Sequence, residues 1–98
     1  MADTGESPIL GASRTLVEND WDWPVHGLRH PTSGQTSGWF VWTGELSQED
    51  DFFRPWHTSH LIERIPELEE LLALPPGSRF LLAPGYIDTW EDPALLDV

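Results

Sequence analysis

The chain has 98 residues, 39% of them hydrophobic, with six tryptophans and no cysteine. That length and apolar content suit one domain with its own core, and the missing cysteines exclude disulfides, thiolate catalysis and cysteine-based zinc sites. Seventeen acidic residues stand against five arginines and no lysine, a formal net charge of −12, which repels phosphate backbones and anionic lipid and so excludes direct binding to nucleic acid or membrane from the expected functions.

Residues 1–14 are rich in small, polar and helix-breaking types and are expected to lie loosely on the surface. They carry no basic start followed by an apolar run, so no signal peptide is read there and a cytoplasmic location is the expectation. Residues 15–98 then read as a single α+β domain. Val25 to His30, between Pro24 and Pro31, alternate apolar and polar residues as a short irregular strand. A turn cluster, "PTSGQTSG", leads into "WFVWTG" at 39–44, the strongest strand signal in the chain. Period two puts Trp39, Val41 and Thr43 on one face and Phe40 and Trp42 on the other. Apolar residues on both faces predict a central strand covered on both sides and paired with 25–30 as a hairpin.

"ELSQEDDFFRP" reads as an acidic loop, with Pro55 discouraging helix before it. A short helix is predicted over 58–64, capped by Thr58 or Ser59. Pro66 breaks it and opens a second helix running to about Ala73. In that second helix Leu68, Leu71 and Leu72 form an apolar stripe opposite Glu67, Glu69 and Glu70. Two strands, 78–83 and 86–90, flank Pro84-Gly85. That pair suits a type II turn, whose twist matches a tight hairpin poorly, so a longer loop or bulge is an alternative. The resulting fold expectation is an α+β domain: a small antiparallel sheet of about four strands with one broken helical segment packed on it.

Two kinds of chemistry are written into the middle of the chain. His57 and His60 are three apart and share a face if both are helical. With Asp51 they compose a two-histidine, one-carboxylate metal set of the kind used by metal-dependent hydrolases. Against this, His57 falls at or before the helix cap and no H-E-x-x-H pattern supplies a base. Structural roles for both histidines are therefore favoured, with no metal, no cofactor and no catalytic residue expected. The other pattern is aromatic residues set among acids: Trp42, Glu45, Glu49, Asp50, Asp51, Phe53 and Trp56, joined by Tyr86 and Trp90 from the last hairpin. Aromatic anchors ringed by carboxylates describe a surface for a basic protein partner. The competing reading places most of these rings in the core and leaves only the acids wet.

The order "SGW", an aromatic strand ending in "GE", "EDDFF", "PELEELLAL" and "LPPGSRFLLAPGY" is similar to a bacterial family first filed as a domain of unknown function. That family was later grouped with the immunity proteins of polymorphic toxin systems, as family thirty-three of that set. The resemblance covers about residues 24 to 92 and departs from the family pattern at "PPG" and in a longer acidic loop. It implies a small acidic α+β protein that neutralises a cognate toxin by binding in the cytoplasm of the producing cell. It supplies no binding residues. A small metal-binding protein or hydrolase using the H-x-x-H pair is the alternative function, and an adaptor module in another bacterial assembly is a third.

Overall fold

A computed structural model describes residues 9–31, 36–46 and 52–96. Six strands, β1 (Ile9–Ser13), β2 (Val25–Arg29), β3 (Thr36–Thr43), β4 (Phe53–His57), β5 (Ser78–Ala83) and β6 (Tyr86–Glu91), form one sheet in the order β4-β1-β3-β2-β5-β6. β1 runs parallel to β3, and every other pairing is antiparallel. The helices are short: α1 (Arg14–Val17), α2 (Thr58–Arg64) and α3 (Leu68–Leu71), followed by a 3-10 turn at Pro93–Leu96.

The expected antiparallel sheet of about four strands is thereby corrected to a mixed sheet of six within the same α+β class. Both additional strands come from stretches with weak strand signals. Residues 9–13, "ILGAS", lie at the end of the segment expected to be loose, yet form β1 in the sheet interior between β4 and β3. Pro55 sits inside β4 and is tolerated because β4 is an edge strand, where a missing amide need not break a ladder.

Alternate residues of each strand face opposite sides of the sheet, and the two sides differ. On one side Leu10 and Ala12 of β1, Val25 of β2, Trp39 and Val41 of β3, and Phe80 and Leu82 of β5 are buried. They pack there with Leu16 of α1, Leu61 of α2, Ile65, and the Leu68, Leu71 and Leu72 stripe of α3. Each buried Val, Leu, Ile or Phe here is worth roughly 1.5–3 kcal/mol of hydrophobic transfer. Trp39, 1% exposed, anchors this layer. Its ring lies 5.4 Å from that of Phe80, and its indole N–H donates to the Leu72 carbonyl at 2.8 Å, tying the end of α3 to the sheet. On the far side of the layer Arg64 donates to the carbonyls of Leu16 and Val17 at the end of α1, while its guanidinium stands 4.7 Å over Trp56.

The helical pair is as read from the sequence in its breaks but not in its cap. The residue before α2 is His57, which makes no side-chain capping bond. Ile65 and Pro66 end α2, and the full helical geometry of the second segment shrinks to Leu68–Leu71, flanked by turns. Pro84 and Gly85 fill a two-residue turn, with Gly85 at φ 70°, and β5 and β6 pair without a bulge.

Gly27 lies opposite Phe80 across the β2–β5 ladder. A Cβ at that position would overlap the Phe80 ring. Gly27→Ala is therefore expected to lower stability by about 1–3 kcal/mol through overpacking, measured by urea denaturation. Phe80→Leu in the same background should recover part of that loss, although alone it destabilises. Strict additivity of the two substitutions would show that the ring does not depend on the missing side chain.

Candidate functional site

Among the described residues no helix of the main core lies on the second side of the sheet, and its residues are mostly half-buried rather than buried, as the alternating burial of β5 shows. The strand register writes out what lies there. Trp42 of β3 is opposite His26 of β2, which is opposite Leu81 of β5 and then Asp88 of β6. One row along run Phe40, Leu28, Arg79 and Trp90. Gly11 of β1 leaves room for the Phe40 ring, which meets Phe53 of β4 at 5.0 Å between centroids. Beside it an apolar hollow of about 240 Å³ is lined by Ile9, Gly11, Gly38, Phe40, Phe53 and Pro55. The 3-10 turn closes one end of this side, where His30 Nδ1–H donates to the Leu95 carbonyl at 3.0 Å. Asp92 holds the same turn by accepting from Ala94 N–H and by its ion pair with Arg79 Nε at 2.8 Å.

β3 is central, as expected, and on its second face the cover comes from side chains of neighbouring strands rather than from a helix. Trp39, Val41 and Thr43 are buried under helices or side chains of the first side. Phe40 stays half-buried, and Trp42, 7% exposed, is covered by other rings. His26 stacks on Trp42 at 5.2 Å with an interplanar angle of 17°, and Phe53 meets it edge-on at 6.1 Å. Burial holds the His26 pKa below the ordinary imidazole value, because the charged ring would lose hydration there.

The residues singled out from the sequence are distributed as follows. Trp42, Phe53, Tyr86 and Trp90 share the open side, the first two in contact and the last two on the opposite edge strand, 51% and 45% exposed. Glu45 is exposed just beyond β3. Trp56 faces the other way, half-buried under Arg64. Glu49, Asp50 and Asp51 lie outside the described residues. His57 and His60 are both exposed with ring centroids 5.5 Å apart, but Asp51, the third member of the metal set, is outside the described residues. Among those described, no three potential ligands gather, and no helix is long and apolar enough to cross a membrane.

Sequence reasoning missed two features. Phe40, Leu28 and Arg79 complete the open side, and only the cross-strand register brings them beside Trp90. A cleft of about 450 Å³ at the end of β2 and β3 is lined by Asp20, Trp21, Asp22, Trp23 and His26, with the hydroxyls of Thr15 and Thr43 bonded to each other at 2.7 Å in its wall. Its signal was present as "DWDWP", an alternation of acids and indoles that reads equally well as the approach to a strand.

The lowered His26 pKa sets a pH dependence. As pH falls below the ordinary imidazole range the unfolded chain takes up this proton before the folded one, so stability present at neutral pH is lost with acidification. His26→Gln removes that term. The melting temperature of the wild type should therefore fall relative to the variant's between about pH 7.5 and about pH 5.5. Parallel curves over that range would show that His26 titrates as a solvated group.

The model of the Imm33-like domain matches residues 4–92. No curated protein and no solved structure matches the chain. With nearly its whole length inside that match, and with the motifs that carried the resemblance lying within it, the chain belongs to the Imm33-like family of immunity-protein domains.

Proposed function

We propose that this protein neutralises a cognate bacterial toxin by binding it directly, without catalysis, in the cytoplasm of the cell that makes the toxin. Family membership supports an immunity role. The observation that carries the binding reading is the open side of the sheet, where half-buried Phe40 and Phe53 and exposed Trp90 lie opposite the helices, with buried Trp42 packed among them. Half-buried aromatic residues on a rigid sheet lose little entropy when a partner covers them, which is what binding hot spots require.

Charge gives the partner its sign. A protein of net charge −12 associates fastest with a basic one. A toxin domain that acts on nucleic acid needs a basic cleft, and an acidic protein seated there competes with phosphate. Among the described residues, Asp88 stands in the row of Trp42, Asp92 pairs with Arg79 of the same side, and Glu45 follows the end of β3. Glu49, Asp50 and Asp51 add to the net negative charge.

The polypeptide encoded beside this gene is the partner to test, by titration of the two purified proteins and by growth rescue on co-expression. Trp90→Ala and Phe40→Ala should each weaken binding by about tenfold or more, the usual cost of removing an aromatic hot spot. Trp90→Ala should leave the melting temperature nearly unchanged. Reversing Asp50 and Asp51 to lysine should slow association several-fold at low salt, with the difference shrinking as salt is added. Wild-type affinity in both aromatic variants would remove the open side from the interface.

A further inference from the structure

The two edges of the sheet differ in how they are finished. β4 carries Pro55, which has no amide to offer. β6 carries no proline, keeps unbroken register with β5 over six residue pairs, and is exposed at every position. Natural edge strands are normally blunted by a bulge, a proline, a lysine or a covering element. Among the described residues β6 has no bulge, proline, lysine or covering element; its charged residues, Asp88 and Glu91, are acidic, and it displays Tyr86, Ile87 and Trp90 to solvent.

Backbone direction along β6 follows from its turn. Pro84 and Gly85 form a two-residue connection, so Ala83 and Tyr86 are a hydrogen-bonded pair. Alternation then turns the peptide groups of Tyr86, Asp88 and Trp90 toward β5 and those of Ile87, Thr89 and Glu91 toward the free edge. Side chains alternate as well: Tyr86, Asp88 and Trp90 stand on the open side, Ile87, Thr89 and Glu91 on the other.

We infer that the outer edge of β6 accepts an extended strand from a basic protein partner, which pairs with Ile87, Thr89 and Glu91 as a seventh strand. This rests on the reading that the partner is a basic protein. A second copy of the chain fits poorly. Two chains of net charge −12 repel each other, which disfavours strand pairing between copies. A strand with arginine or lysine at alternate positions meets Asp88 on one face or Glu91 on the other. With the basic residues on the Glu91 face, its apolar residues extend the row of Phe40, Leu28, Arg79 and Trp90, so the added strand is continuous with the open side. Backbone pairing supplies affinity and the alternate side chains supply selectivity.

The probe is a blocked seven-residue peptide of alternating arginine and valine, with two controls: the citrulline version and a version methylated at every amide. Binding of the arginine peptide should slow hydrogen exchange at the amides of Ile87, Thr89 and Glu91 by about tenfold or more at saturation. The citrulline peptide should bind several-fold more weakly, and the methylated one, equal in charge, should give no such protection. Thr89→Pro removes an outward amide without touching the β5 ladder and should weaken the peptide at least about fivefold, whereas Thr89→Val should not. Equal binding of the methylated peptide, or unchanged exchange at the three amides, overturns the inference without any variant having to fold. With the neighbouring gene's product, full affinity of a folded Thr89→Pro removes the edge from the complex and leaves neutralisation standing. Failure of the wild type to bind that product counts against the toxin-binding reading instead.

Discussion

The structure depends on one packing event, the seating of Trp39 against Phe80 on a single side of the sheet. The Phe80 ring occupies the space above Gly27, and the Trp39 indole reaches past it to the Leu72 carbonyl. Because that bond joins the central strand to the end of α3, the helical segment has one place to sit. An indole N–H buried without a partner would cost about 1–3 kcal/mol, so the bond selects this docking over others of similar apolar area. Arg64 does the same on the other flank, holding α2 to the carbonyl end of α1.

Placing every α-helix on that side has a consequence for the other. A sheet of six strands with only short helices to cover it cannot bury both faces, and the aromatic residues of β3 and β4 that point away from the core cover one another instead. Trp42 is buried by His26 and Phe53, not by a helix. Ring-on-ring cover of this kind leaves edges and faces accessible at the perimeter, where Phe40, Leu28 and Trp90 lie.

The acidic surface then acts over a longer range than the rings. Under the proposed function, charge would govern how quickly and in what orientation a basic partner arrives, whereas the aromatic side and the outer edge of β6 would govern how long it stays. The asymmetry of the sheet edges belongs to this division. Pro55 closes β4 to strand addition, and β6, regular and exposed, remains open beside Trp90.

The local rules written along the chain were sufficient for β2, the start of α2, the Leu68, Leu71 and Leu72 stripe, and the β5–β6 hairpin, because each is specified by residues within a few positions of one another. "WFVWT" likewise announced its two faces, and the family was recognisable from the order of its motifs. What the local pattern did not contain was pairing at a distance. β1 is a strand because "ILGAS" is held between β3 and β4, and Gly11 and Ala12, weak strand formers alone, are the residues small enough to lie there under Phe40 and within the core. β4 is a strand despite Pro55 because it falls at the edge. The candidate surface followed the same division: Trp42, Phe53, Tyr86 and Trp90 were legible as aromatic residues among acids, but a strand register set by contacts far apart in the chain decided that they share a side while Trp56 faces away. Composition and periodicity determined β2, β3, β5, β6, the broken helical segment and the sign of the charge. Only tertiary packing determined which face stayed open, since that depends on where the limited helical mass finds its hydrogen bonds.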